Sequence, residues 1–189
     1  MSGTPELSAE ATAIHIRVKD VTQLFNTLDP FPFRDRDLDS EAEEFIVGWA
    51  RELPVRSPIQ IVIHLPAAAM EGIDRGEIKE ALGRYFAYRA EITGLDLKQL
   101  FRVGRRSLAI GLAVLAACLF SSHVVAARIG AGDVARIAEE GLVILGWVAN
   151  WKPLEIFLYE WWPLAHRRDL YRRLSHASIA LQAEPAGLP

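Results

Sequence analysis

Four polar side chains inside an apolar stretch are the strongest candidates for chemistry in this chain. Asn150, Lys152, Glu155 and Tyr159 lie within residues 141–164, which are otherwise mostly apolar and aromatic. On a helix, Glu155 and Tyr159 follow Lys152 by three and seven residues and therefore share its side. A charge inside a bilayer is costly unless it is paired or hydrated. The cluster therefore predicts either an internal Lys152–Glu155 pair or a polar path that handles protons, ions or a ligand.

Pro153 determines where this cluster lies. Proline has no N–H to donate to the carbonyl of Ala149. In one interpretation the helix over residues 141–164 is continuous, and Lys152 lies near the bilayer midplane. In the other the helix breaks at Pro153, Lys152 lies near the cytoplasmic interface, and residues 154–174 form an aromatic, basic helix among the lipid headgroups. The sequence leaves both interpretations open and favours a structural role over a transport role.

Residues 107–127 are the element that indicates a membrane. They carry no formal charge, and at about 1.5 Å per residue they span roughly 31 Å, which is enough to cross a bilayer core. Residues 141–164 are long enough for the return crossing. Arginine clusters outside both ends of this pair and is sparse in the loop of residues 128–140. The flanking arginines are Arg102, Arg105, Arg106, Arg167, Arg168, Arg172 and Arg173. The positive-inside rule then places both termini in the cytoplasm.

Aromatic and basic residues indicate how the two spans would be anchored at the membrane interface, and small residues indicate how the spans would pack. Indole rings and guanidinium groups favour the headgroup zone, and the predicted interface anchors are Trp161, Trp162, Arg105, Arg106, Arg167 and Arg168. Small residues four apart permit close packing against the second span or another copy. In the first span they are Ser107 and Gly111, Ala109 and Ala113, and Ala117 and Ser121. Cys118, the single cysteine, is expected to serve packing rather than reactivity.

The first half of the chain predicts a small cytoplasmic α/β domain. Residues 13–19 alternate between apolar and polar side chains, as a strand with one buried face does. Residues 59–65 form a second, more apolar strand. Helices separate and follow the strands, so the order is β-α-α-β-α, with two strands that are expected to be adjacent and parallel.

The expected segment boundaries follow from these patterns. Gly94 is expected to end the last helix of the domain, ahead of a connector that lies on the membrane surface or runs straight into the first span. The segments are a flexible tail (1–12), the α/β domain (13–94), an amphipathic connector (95–106), the first span (107–127), an external loop (128–140), the second span (141–164) and a basic cytoplasmic tail (165–189).

Helix-capping patterns mark two helices inside the domain. Asp20 is expected to cap a short helix, with Gln23 at the matching position. Ser40 and Glu43 form a capping box for a stronger helix, which Pro54 ends. The residues expected on the apolar face of that second helix are Ala42, Phe45, Ile46, Trp49, Ala50 and Leu53.

Two strands make an incomplete sheet with two unpaired edges. No third strong strand is evident in the sequence. We therefore expect the sheet to continue in a second copy of the chain or in a partner membrane subunit.

The remaining patterns exclude several classes of function. The stretch from Asp35 to Asp39 resembles the start of a calcium loop, but Ser40 replaces the sixth-position glycine and Ile46 the twelfth-position glutamate. His15 and His64 meet if their strands are neighbours, although a partly exposed strand histidine is the simpler interpretation. The chain contains no nucleotide-binding or hydrolase motif. A net charge of −3 argues against nucleic-acid binding. We expect no cofactor, no metal and no catalytic residue.

Two segments resemble those of uncharacterised small bacterial membrane proteins. They are Leu-Asp-Pro-Phe-Pro-Phe at 28–33 through Asp-Leu-Asp at 37–39, and Gly-Trp-Val-Ala-Asn-Trp-Lys-Pro at 146–153 through Tyr-Glu-Trp-Trp-Pro at 159–163. The resemblance covers most of the chain. It implies a two-span protein of the bacterial inner membrane with a cytoplasmic N-terminal domain, and it implies no activity.

The sequence as a whole predicts a non-enzymatic accessory or scaffold protein. It would present an oligomerising cytoplasmic domain at the bilayer, with itself or another membrane subunit as partner. One alternative is a subunit of an oligomeric transporter or ion-conducting assembly that uses Lys152, Glu155 and Tyr159. A third possibility is a sensory or ligand-binding cytoplasmic domain.

Overall fold

The chain forms two compact units, one of which is built from both ends of the sequence. Met1–Ile92 and Arg167–Pro189 make one unit, here called the domain, and Thr93–His166 makes the other, here called the hairpin. The computed structural model describes residues 13–26, 37–54, 57–70, 73–129 and 132–184. The expected tail (1–12) and the first two residues of the calcium-like stretch, Asp35 and Arg36, lie outside the described residues.

Helices and parallel strands alternate along the chain. In order, the elements are β1 (Ala13–Arg17), a 3-10 turn (Val21–Leu24), α1 (Ser40–Glu52), β2 (Gln60–Pro66), a 3-10 turn (Ala67–Met70), α2 (Arg75–Ile129), α3 (Asp133–Val148), α4 (Trp151–Glu155), a π-helical turn (Ile156–Glu160), α5 (Trp161–Ser175) and β3 (Ser178–Glu184).

The domain contains a three-stranded parallel sheet in the order β1-β2-β3. Ile16 pairs with Ile63, and Ile63 pairs with Leu181 on its other side. Because β2 is central, Ile61 and Ile63 are fully buried. An α/β domain with adjacent parallel strands is therefore confirmed.

The expectation that the chain holds only two strands is wrong. The third strand, Ser178–Glu184, pairs along the whole length of β2 and lies in the segment expected to be a basic tail. Its sequence, SIALQAE, contains one β-branched residue and two alanines, so strand propensity barely marks it. The sheet gains its missing strand from the same chain, and strand count no longer requires a second copy.

The start and the apolar face of α1 also differ from the expectation. The residue that caps α1 is Asp39, not Ser40, and its carboxylate accepts from the N–H of Glu41 at 2.9 Å. Ile46, Val47 and Ala50 are the buried residues of α1, whereas Phe45 and Trp49 are about half exposed. The face that packs on the sheet is therefore rotated away from the two aromatic rings. The calcium-like stretch supplies a helix cap at its end.

The expected cap at Asp20 is confirmed. The carboxylate of Asp20 accepts from the N–H of Thr22 at 2.8 Å, and the side chain of Gln23 accepts from the N–H of Lys19 at 2.9 Å. The helix that follows is a single 3-10 turn ending at Leu24.

The expected helix break at Gly94 is wrong. Helix α2 continues through Gly94 for 55 residues, which is about 82 Å at 1.5 Å per residue. An internal glycine costs a helix only about 1 kcal/mol relative to alanine, which a helix of this length can absorb. The expected connector (95–106) and first span (107–127) are therefore parts of one uninterrupted helix.

Candidate functional site

The hairpin consists of two antiparallel helical arms whose contact, here called the seam, is lined with small side chains. On the hairpin part of α2 four buried residues recur every seven positions, at Leu97, Gly104, Gly111 and Cys118, and this series is flanked by buried Thr93 and Ser122, each four residues beyond its end. A seven-residue period is the pattern of a coiled-coil contact. The returning arm contributes Gly146, Asn150, Pro153 and Ile156.

The seam differs from the small-residue pairs expected from sequence. Gly111 is buried in it, but its expected partner Ser107 is only half buried. Ala109, Ala113, Ala117 and Ser121 are exposed within the described structure. Cys118 is 7% exposed and packs against Gly146, as the packing interpretation expected. The seam follows a seven-residue period, so the four-residue pairs did not identify it.

Asn150 fastens the two arms together. Its amide nitrogen donates to the carbonyl of Gly111 at 3.1 Å and to that of Gly146 at 2.9 Å. The side chain is 6% exposed, and its Oδ1 atom has no hydrogen-bond partner among the described residues. Both N–H groups are used, and one bond crosses between the arms.

Close approach at this point requires glycine. A Cβ atom on Gly111 would lie 2.6 Å from Oδ1 of Asn150 and 3.0 Å from the carbonyl oxygen of Ala149. A Cβ on Gly146 would lie 2.7 Å from a terminal carbon of Leu115 and 3.2 Å from its Cα. Missing side chains on both arms therefore let the two backbones meet.

The returning helix is interrupted just before Pro153. Helix α3 ends at Val148, Ala149 and Asn150 form a turn, and α4 begins at Trp151. Pro153 falls in the first turn of α4, where the missing N–H is tolerated. The π-helical turn of Ile156–Glu160 follows directly. Ala149 and Asn150 keep right-handed helical backbone angles, so this turn is a local irregularity, and the break at Pro153 stays a prediction.

The candidate cluster divides into separate groups. Lys152 lies 3.4 Å from Glu155 and also hydrogen-bonds Glu160, so the expected Lys152–Glu155 pair forms and gains a second carboxylate. Asn150 points into the seam instead. Tyr159 is 71% exposed, and no described polar contact joins it to the others. The structure therefore shows one exposed ion-pair group and one buried amide clamp.

Contacts along the seam show which part of α2 is level with Lys152. Gly104 packs against Ile156 and Phe157, and Gly111 packs against Asn150. Because the arms are antiparallel, Ser107 is level with residues between Asn150 and Ile156. Lys152 is therefore level with the start of the first uncharged stretch rather than with its middle.

The expected interface anchors have different surroundings. Trp161 packs within 6.3 Å of the Phe101 ring and donates to the carbonyl of Phe157 at 2.9 Å. Trp162 is 55% exposed, and Arg105 and Arg106 are exposed.

Arg167 and Arg168 belong to the domain. Arg168 pairs with the adjacent Asp169 at 2.8 Å. Arg167 donates to the hydroxyl of Tyr171 at 3.2 Å and lies over the Tyr171 ring.

The domain holds a polar cluster that the sequence did not reveal. The carboxylate of Glu43 accepts from Tyr171 at 2.6 Å, from Tyr85 at 2.7 Å and from Arg89 at 3.0 Å. Burial alone would raise the pKa of Glu43, but hydrogen bonds from Tyr171 and Tyr85 and the charge of Arg89 hold it below its ordinary value of 4.5. Burial and the same carboxylate raise the pKa of Tyr85. The signal available in the sequence was the four-residue spacing of Tyr85 and Arg89, and of Arg167 and Tyr171.

The two strand histidines meet across β1 and β2. Nδ1 of His15 lies 3.0 Å from Nε2 of His64, and the rings stack at 5.2 Å. Over the described ranges, no three histidine, cysteine or acidic side chains converge as metal ligands would.

Comparison with known proteins adds no relative. No family model matches the chain, and neither a curated protein nor a solved structure does.

Proposed function

We propose that this protein is a two-span membrane protein that holds its α/β domain at the bilayer and acts as a non-enzymatic accessory or scaffold. Two helices, Arg75–Val125 and Arg136–Ser175, are long and apolar enough to cross a membrane. In the most apolar 18-residue stretch of each helix, only 17% and 22% of the stretch is buried. A core helix of a soluble protein would bury most of such a window, so the exposed surface supports a lipid environment.

The observation that carries the proposal is the strand β3. The sheet pairs β2, which precedes the hairpin, with β3, which follows it. A chain that leaves this domain to enter a bilayer must therefore return to the same side. Two crossings satisfy this requirement, and one crossing does not.

The depth of Lys152 supports anchoring over conduction. With residues 107–127 as the first crossing, Lys152 and Glu155 are level with its arginine-flanked start. There a lysine reaches the headgroup zone at little cost. Arginines outside both spans support cytoplasmic termini, and we propose the bacterial inner membrane as the location. A homo-oligomer or a partner membrane subunit remains part of the proposal.

The topology is tested with single cysteines in a C118A background. The variants E41C and Q182C place a thiol in the domain before and after the hairpin, and E139C places one on α3; all three positions are exposed. In intact cells an impermeant maleimide should label only E139C, and lysis should make the other two reactive. Labelling of E41C and Q182C on opposite sides, or recovery of the intact chain in the soluble fraction, would overturn the proposal.

A conducting assembly is a second candidate, favoured by one observation. The π-helical turn of Ile156–Glu160 directly follows the Lys152–Glu155 pair, and such turns occur frequently at functional sites. The double variant K152L/E155L separates the two functions, because a scaffold should stay folded and assembled whereas a relay would lose ion flux at normal expression. The charge-reversed variant K152E/E155K/E160K keeps both ion pairs of residue 152 and should be more stable than K152E alone if the group is structural.

A further inference from the structure

A cleft in the domain runs between α1 and α5, and its floor is electrically neutral. Glu43, Arg89 and Tyr171 form that floor, where Arg89 pairs with Glu43 at 2.9 Å. Gly48 on α1 lines the cleft, and apart from its chain neighbours and the adjacent backbone of its own helix no atom lies within 4 Å of the position its Cβ would occupy. The cleft is therefore open above a floor whose charges already cancel.

The rim of this cleft carries an excess of positive charge. Arg51 and Arg167 both line it and are exposed, and Glu44 is the acidic residue on the same rim. Among the described residues neither arginine makes an ion pair. Arg167 uses one N–H on the hydroxyl of Tyr171. An arginine has five N–H groups, so most of its donors remain available to a ligand.

Tyr171 fixes the position of Arg167. The tyrosine is 1% exposed and donates to Glu43 at 2.6 Å, while its oxygen accepts from Arg167. The guanidinium of Arg167 also lies 5.7 Å from the centre of the Tyr171 ring. A guanidinium held by one edge presents its remaining fork in a fixed direction, which is how arginine recognises planar or tetrahedral oxyanions.

We propose that Arg51 and Arg167 form a binding site for an oxyanion, a phosphate or carboxylate group, above the Glu43–Tyr171 floor. The ligand would accept hydrogen bonds from both guanidinium groups. Such a group can come from a soluble anion or from the headgroup of an anionic lipid. The lipid source rests on the proposed function, because a headgroup can reach this site only if the hairpin holds the domain at a bilayer.

The soluble arm uses the full chain in neutral detergent with inorganic phosphate as the probe. Isothermal titration should show saturable binding that weakens about tenfold in R51Q and in R167Q. The variant R172Q, which changes an exposed arginine on the same helix as Arg167, should bind as wild type. R167K keeps the charge and loses the fork, so it should fold and still bind more weakly.

The lipid arm uses nanodiscs of phosphatidylcholine with or without phosphatidylglycerol. Native mass spectrometry should show retained phosphatidylglycerol in wild type and R172Q, and loss of it in R51Q and R167Q. If this arm alone responds, the ligand is a headgroup; if phosphate alone responds, it is a soluble anion. Equal weakening by R172Q, or no difference from wild type in either arm, would overturn the site. If the chain is recovered in the soluble fraction and binds phosphate there, the result would contradict the proposed function but still support this site.

Discussion

Asn150 and Gly111 join the two arms of the hairpin through a hydrogen bond of 3.1 Å from a side-chain amide to a backbone carbonyl. The bond forms because Gly111 has no Cβ. In an apolar environment the Asn150 amide has no water as an alternative partner, so the bond favours one register of the arms. Measured bonds of this kind contribute about 0.6 kcal/mol on average, and the close packing around it adds to that value.

Replacing Gly111 by alanine should destabilise the hairpin by about 1 to 3 kcal/mol, as overpacking of a tight contact does. The added Cβ would lie 2.6 Å from Oδ1 of Asn150 and 3.0 Å from the Ala149 carbonyl, and the backbone atom cannot move aside cheaply. Hydrogen exchange of the peptide over residues 107–127, in detergent, measures the loss.

Gly141→Ala is the matched control. Gly141 is also a helical glycine of the hairpin, but apart from its chain neighbours and the adjacent backbone of its own helix nothing lies within 4 Å of its Cβ position. Alanine there should stabilise the helix by about 0.5 to 1 kcal/mol. Similar effects of the two substitutions would contradict the seam.

Local sequence patterns predicted the elements whose physics is local. The alternation over residues 13–19, the apolar run of residues 59–65 and the cap at Asp20 each depend on a few neighbouring residues. The structure contains strands over Ala13–Arg17 and Gln60–Pro66 and the cap. The Lys152–Glu155 pair forms for the same reason, since its members lie three residues apart on one helical turn.

Contacts between distant residues escaped these patterns. Glu43 meets Tyr85, Arg89 and Tyr171 over separations of 42, 46 and 128 residues. The local sequence predicted instead that Glu43 forms a capping box with Ser40. Strand β3 was missed similarly, because pairing with β2 rather than its own propensity makes it a strand.

Domain stability should fall with acid through Glu43. The folded pKa of Glu43 lies below its ordinary value of 4.5, so its carboxylate stabilises the fold above that value and loses this effect as the pH falls through the folded pKa. Glu43→Gln should therefore be less stable than wild type at pH 7, and the gap should close below about pH 4.5. Hydrogen exchange of β2 from pH 7 to 3, corrected for intrinsic rates, measures it.

Glu44→Gln is the control for that titration. Glu44 is the exposed neighbour on α1, and this variant should follow wild type across the range. A gap for Glu43→Gln that stays constant down to pH 3 would show that its carboxylate does not carry the charge-dependent stability.

Removing one hydroxyl from the Glu43 cluster should also weaken the domain. Tyr85→Phe deletes the donor at 2.7 Å from Glu43, and a hydrogen bond to a charged group contributes about 1.5 to 3 kcal/mol. The same change should raise the pKa of Glu43, because one of the bonds that favour its charged form is gone. The acid transition of β2 exchange should therefore move to higher pH.

Tyr88→Phe provides the comparison on the same helix. Tyr88 is 56% exposed, and its hydroxyl should matter by less than about 0.5 kcal/mol. Equal losses in the two variants would mean that tyrosine hydroxyls on α2 act through solvation and not through Glu43.

Strand β3 should be as necessary to the domain as the strands that precede the hairpin. Leu181 pairs with Ile63 and is 8% exposed in the core. Leu181→Ala should cost about 2 to 4 kcal/mol, since it removes buried methyl groups and leaves a void.

Gln182→Ala changes the next residue, whose side chain is exposed on the other face, and should leave the domain within about 0.5 kcal/mol of wild type. In the full chain, the Leu181 variant should speed exchange of β2 but not of residues 107–127. Unchanged exchange of β2 would show that the sheet forms without β3. The argument that the chain must return to the side of the bilayer from which it entered would then no longer hold.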